Sequence, residues 1–182
     1  MSCVEETAAG SSWFEDVDQR ITTAAQIESV TSVLGQMYAD LSARFSASTP
    51  ESPTKRREIM TGTGNFIRAQ PVGIKDGVDH QLSGLVRSIN EGAIRHQLSG
   101  GSIVLIPSMG YSPSGETFHL DVDVVAREVA CALSADKLIF MTEQTGLKDI
   151  TGNLISEIDL SDTRTGDVSL EPLTEKLLSH CD

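Results

Sequence analysis

The most constraining feature is a pair of short, unbroken apolar runs, Ile103-Val-Leu-Ile106 and Lys137-Leu-Ile-Phe-Met141, with a helical stripe between them. An apolar run of four or five residues bounded by Gly and Pro fits a strand covered on both faces, as in a parallel sheet. Between the two, Asp121 stands at a helix start, and Val125, Val129, Ala132 and Leu133 share one face to about Ser134. Strand, helix and strand in about forty residues predict a right-handed βαβ unit with helices on the sheet faces. The fold class expected is therefore α/β.

The segments before this unit read as its supports. Thr23-Ala-Ala-Gln26 has capping-box spacing. Behind it Ile27, Val30, Leu34, Met37, Leu41 and Phe45 recur at three- and four-residue steps, which predicts a helix to about Ser46 with that face in the core. The stretch from Ser46 to Lys55, with Pro50 and Pro53, reads as a surface loop. Glu58-Ile-Met-Thr61 and the stretch from Asn65 to Gln70 are short strand candidates, separated by Gly62 and Gly64 as turn residues. Asp76-Gly77 marks a turn and Leu85-Val-Arg-Ser-Ile89 an alternating strand, together an antiparallel hairpin excursion. Asn90 is the expected N-cap of a short helix carrying Ile94 and Leu98, closed by Gly100-Gly101. A loop is expected from Pro107 to Glu116, and a hairpin around Gly152-Asn153 within residues 150–155.

At 182 residues, one domain is expected over 21–182, preceded by a poorly ordered acidic lead-in over 1–20. Fourteen Lys and Arg against 26 Asp and Glu give a net charge of −12, a field that repels phosphates and argues against nucleic acid or anionic membrane as partners. Three cysteines, Cys3, Cys131 and Cys181, have neither disulfide-framework nor zinc spacing. With acids where a signal peptide carries bases, the expected location is the cytoplasm.

Ligands in open parallel sheets sit at the carboxyl ends of strands, which draws attention to the loop after Ile106 and to His119, Asp121 and Asp123 beyond it. Two carboxylates one residue apart could hold Mg²⁺; the alternative, and the better fit to the pattern, is that Asp121 caps the helix and Asp123 complements its dipole. His119 reads as a partly exposed packing residue, the alternatives being a polar pocket contact or a general base. Gly62-Thr-Gly64 lacks both the third glycine of a dinucleotide fingerprint and the Lys-Ser/Thr of a Walker loop.

Gly64-Asn-Phe-Ile-Arg-Ala-Gln-Pro-Val-Gly73, Asp76-Gly-Val-Asp79, Gly84-Leu-Val-Arg-Ser-Ile89, Gly101-Ser-Ile-Val-Leu-Ile106, Gly110-Tyr-Ser-Pro-Ser-Gly-Glu116 and Ala135-Asp-Lys-Leu-Ile-Phe-Met-Thr142 together resemble the amino-acid-kinase-like domain of N-acetylglutamate synthases. The resemblance runs from about Arg20 to Glu157. It implies a three-layer αβα sandwich of the acetylglutamate-kinase-like fold, mainly parallel with a hairpin excursion. The family's first strands with their glycine-rich turn, and its C-terminal acetyltransferase domain, are not matched here.

The family transfers acetyl from acetyl-CoA to L-glutamate, the first step of arginine biosynthesis, in that acetyltransferase domain. The kinase-like domain supports homo-oligomerisation and feedback control by L-arginine. This chain is accordingly expected to be a regulatory and assembly segment without a cofactor of its own, acetyl-CoA being a substrate of the unmatched domain. Against the related kinases' Asn-Ile-Asn-Ala-Asp pattern this chain reads His119-Leu-Asp-Val-Asp123. Asp123 then falls on the catalytic aspartate, while His119 and Asp121 replace asparagines. The resemblance thus implies a vestigial kinase-like substrate pocket at Asn65, Gly110, His119, Asp121 and Asp123. The rival expectations are an N-acetylglutamate-kinase-type phosphotransferase and a non-catalytic interaction fragment.

Overall fold

The computed structural model describes residues 21–46, 59–141, 146–148, 151 and 153–156. The expected lead-in over 1–20 and the loop over 47–55 lie outside them, as does Gly152 of the expected hairpin. The chain divides into two compact units, Met1–Ser134 and Ala135–Asp182.

In the first unit, helix α1 (Ala24–Ser46) starts where the capping box predicts. Thr23 Oγ1 accepts from the Gln26 amide at 3.3 Å, and Gln26 Oε1 takes the Thr23 amide at 2.8 Å. The expected stripe lies toward the sheet but is only half-buried. No residue of α1 is fully buried, and Met37 is 51% exposed, with Tyr38 taking its place on the inner face. The hydroxyl of Tyr38 donates to Leu105 O at 3.2 Å, and Ser42 Oγ lies 2.9 Å from Thr61 Oγ1, so polar contacts share the attachment of this helix with apolar ones.

Strands β1 (Thr61–Gly62) and β6 (Ile103–Val104) pair in parallel. A four-stranded sheet runs in the order β5 (Gly84–Ile89), β2 (Ile67–Pro71), β7 (Met109–Tyr111), β8 (Thr117–His119). Of its three strand pairings only β2–β7 is parallel. The expected antiparallel excursion is the pairing of β2 with β5, and at its Asp76-Gly77 turn, both residues at positive φ, two further strands, β3 (Ile74–Lys75) and β4 (Val78–Asp79), pair as a small hairpin that was not expected. The sheets are thus mixed rather than mainly parallel, because the pairings around β2 and β7 come from hairpins and returns. The four-stranded sheet also curls: a bridge from Ser83 to His119 brings its two outer strands together.

Alternation along the strands sets the layers. Ile67, Ala69 and Phe118 face helix α2 (Glu91–Ser99) and helix α3 (Val122–Leu133), and with Phe66, Ile94, Leu120 and Val125 they make the core. Met109 points the other way, its sulfur 4.0 Å from Thr31 of α1. One helix therefore covers one face and two cover the other, which is the αβα order. Asn90 caps α2, its side-chain oxygen accepting from the Ala93 amide at 3.2 Å, and the helix ends at Gly100 with Gly101 at φ +78°.

Three expectations need correction. The stretch 107–116 is not all loop: β7 lies within it and pairs with β8 as a hairpin, a register invisible in a Ser- and Pro-rich sequence. Gly62 is no turn residue; it lies within β1, paired with Val104, beneath the side chain of Gln97. Residues 137–141 form no strand, and Ile139 and Met141 are 78% and 95% exposed, so the βαβ unit ends without its second strand. A short apolar run specifies a strand only where a neighbour offers its backbone groups, and none among the described residues pairs with it. In the second unit, β9 (Leu147–Lys148) and β10 (Leu154–Ile155) pair antiparallel, a hairpin wider than the one expected within 150–155.

Candidate functional site

Of the expected site residues, His119, Asp121 and Asp123 run through the junction of β8 and α3. In the β7–β8 hairpin Met109 lies opposite His119 and Gly110 opposite Phe118. Its turn is held by Ser112, Ser114 and Glu116, the Glu116 carboxylate accepting from Ser114 Oγ at 2.9 Å. Beyond β8 the Leu120 amide donates to Ser108 O, which draws the chain back along β7 and aims it into α3.

Asp121 stands at the head of that helix with extended backbone angles. Its Oδ1 accepts from the amides of Asp123 at 2.9 Å and Val124 at 3.1 Å. This is an N-cap, and it supplies two amides that the helix cannot satisfy internally. Asp123 lies half-buried in the first turn, where a negative charge meets the positive end of the helix dipole. Among the described residues no group of three or more His, Cys, Asp or Glu is placed to hold a metal ion.

Gly110 belongs to the packing. A Cβ built on it would lie 2.6 Å from Ala69 Cβ, 3.0 Å from Leu120 Cδ1 and 3.3 Å from Ile67 Cγ2, so it faces the core and lets β7 approach β2 closely. Asn65 is exposed just before β2. Counting back from the parallel pair Arg68–Tyr111 brings it level with Ser108, at the sheet end that also carries Asp121. The structure thus brings His119, Asp121 and Asp123 together at the end of β8, leaves Asn65 two strands away at the start of β2, and turns Gly110 inward.

His119 is half-buried, and its amide donates to Leu82 O at 2.9 Å. Its Nδ1 lies 3.3 Å from Thr22 Oγ1. Thr22 is 2% exposed and Ser83 6%; the Thr22 amide donates to Ser83 Oγ at 3.1 Å, and Ser83 Oγ donates to Thr22 Oγ1 at 3.1 Å. Sequence reasoning missed this pair. Thr22 and Ser83 are 61 positions apart in polar segments, and no periodicity or motif links them.

A second polar group lies where α1 crosses the ends of the parallel strands. Burial pushes the Tyr38 phenol above its ordinary value of 10.0; a hydrogen bond with the Thr63 side chain opposes the rise and the nearby Tyr111 adds to it.

The family model described as "Amino acid kinase family" matches residues 5–178. The amino-acid acetyltransferase of Ralstonia nicotianae is 43% identical over 141 residues, 78% of this chain and 31% of that protein. The amino-acid acetyltransferase of Yersinia enterocolitica is 40% identical over 145 residues, 80% of this chain and 33% of that protein. The chain therefore spans about a third of the length of these curated relatives. Among solved structures, N-acetylglutamate synthase from Neisseria gonorrhoeae complexed with coenzyme A and L-arginine superposes with a TM-score of 0.79 at 27% identity, over 88% of this chain and 38% of that one. The same synthase complexed with coenzyme A and N-acetyl-glutamate gives 0.76 over 36% of its chain.

Proposed function

This chain belongs to the amino acid kinase family, and on that premise we propose that it is the kinase-like regulatory and assembly segment of an N-acetylglutamate synthase. The observation that carries the reading is the superposition on the Neisseria gonorrhoeae synthase over 88% of this chain, together with relatives named amino-acid acetyltransferase at 40% identity or more. In this reading the parent transfers acetyl from acetyl-CoA to L-glutamate in a part of the protein that this chain does not match. The kinase-like part holds copies of the parent together in the cytoplasm and takes part in its response to L-arginine. The neighbour's bound coenzyme A and L-arginine support that assignment.

The junction of β8 and α3 is then a pocket descended from a kinase site, with Asn65, His119, Asp121 and Asp123 around it and Gly110 packed beneath. Its geometry favours a regulatory role over phosphoryl transfer. That reaction depends on positioned groups around the phosphates, whereas here His119 and Asp121 stand in place of the related kinases' asparagines, with one Asp121 oxygen engaged by two helix amides.

A thermal melt of the protein with L-arginine, and separately with ATP plus N-acetylglutamate, tests the proposal. A ligand at 100 times its Kd raises stability by about 2.7 kcal/mol. The regulatory reading expects no shift with ATP plus N-acetylglutamate, and co-purification with a full-length synthase. A melt raised by ATP plus N-acetylglutamate, with phosphorylation lost in Asp123→Ala, would replace it by the kinase reading.

A further inference from the structure

We infer that Thr22, backed by Ser83, is the positioning residue that sets the tautomer of His119, holding the neutral imidazole with Nδ1 as acceptor and the proton on Nε2. Ser83 Oγ donates to Thr22 Oγ1 at 3.1 Å, so one lone pair of the threonine is occupied and its own proton is still to be placed. Thr22 is 2% exposed, so an unplaced hydroxyl proton there would carry the desolvation cost of a buried donor. Among the described residues one other group lies within reach of Thr22 Oγ1, the His119 Nδ1 at 3.3 Å. The proton therefore points at Nδ1, which must be the bare nitrogen. Ser83 Oγ is in turn fixed by the Thr22 amide, so the relay closes on the backbone.

Two consequences follow for the site. Any group that meets Nε2, a pocket ligand included, meets an N–H donor, which selects acceptors such as carboxylate oxygens over amines. The relay also joins three separate pieces of chain: the segment just before α1, the turn before β5, and the end of β8. The choice of acceptor ligands rests on reading His119 as a pocket residue; the tautomer itself does not.

Long-range ¹H–¹⁵N correlation of the imidazoles, at a pH where they are neutral, reads the tautomer directly, with His119→Gln assigning the signal among the four histidines. The expected result is an Nε2–H pattern for His119. It should be kept in Ser83→Ala and Thr22→Ser, which preserve the threonine-position donor, and changed to mixed or inverted populations in Thr22→Val. An Nδ1–H pattern in the unmodified protein overturns the inference without any variant. So does a Thr22→Val spectrum identical to the parent's in a protein whose circular dichroism is unchanged. An Nε2–H pattern with no carboxylate ligand shifting the His119 signals would leave the relay standing and remove the pocket reading.

Discussion

Replacing Gly110 by alanine tests whether this residue serves the packing or a ligand. The new Cβ would meet Ala69 Cβ at 2.6 Å, Leu120 Cδ1 at 3.0 Å and Ile67 Cγ2 at 3.3 Å. The first contact is shorter than carbon atoms tolerate and lies between two strands, so the backbones must part. Such overpacking costs about 1–3 kcal/mol. At about 2–4 °C per kcal/mol for a chain of this size, a cost of about 2 kcal/mol lowers the Tm by about 4–8 °C.

The compensating change is Ala69→Gly, which removes the nearest atom. Alone it loses a buried methyl, about 0.8 kcal/mol, and adds strand glycine entropy, about 0.5–1 kcal/mol. Independent sites would then sum to about 3.5 kcal/mol. Relief of the 2.6 Å contact should bring the double variant to about 2.5 kcal/mol, because the Leu120 and Ile67 contacts remain. Urea melts of the four proteins measure the coupling of about 1 kcal/mol. Additivity within about 0.5 kcal/mol, or a Gly110→Ala protein as stable as the parent, would refute the packing assignment.

Removing the α3 cap by Asp121→Ala should cost about 1 kcal/mol in urea melts, while Asp121→Asn, which keeps an acceptor, should cost much less. Asn90→Ala should cost a similar amount through α2, since its oxygen takes the Ala93 amide. Arg95 pairs with Glu91 one turn earlier and also donates to the Leu133 carbonyl at the end of α3. Arg95→Ala should therefore destabilise more than Glu91→Ala, whose exposed pair is worth only about 0.3–0.5 kcal/mol. Tyr38 has a raised folded-state pKa, so its contribution is complete below 10.0 and is lost as pH rises through the folded value. Alkaline melts should show this loss in the parent and lack it in Tyr38→Phe; identical alkaline profiles would reject it.

Local chemistry determined a good part of this molecule. The capping box at Thr23–Gln26, the Asn90 and Asp121 caps, the Asp76–Gly77 turn and the stripe of α3 each depend on neighbours within four residues, and each stands where sequence reading placed it. Family motifs narrowed that reading from the α/β class to the amino-acid-kinase-like fold, because a motif records contacts that composition does not. Tertiary structure alone decided the rest. Residues 137–141 read as a strand, yet pairing is a property of two segments, and Leu138, Ile139 and Met141 are left exposed. Met37 and Tyr38 both lie near the predicted helix face, and only the position of Leu105 selects the tyrosine for the inner side. Gly110 looked like a loop glycine beside a pocket until β2 was placed 2.6 Å from its missing Cβ. Thr22 and Ser83 carried no signal, since a hydrogen bond across 61 residues has no period and no spacing. Contacts within a turn or a helical repeat are encoded by adjacent residues, whereas contacts across the fold exist only once the backbone has brought distant segments together.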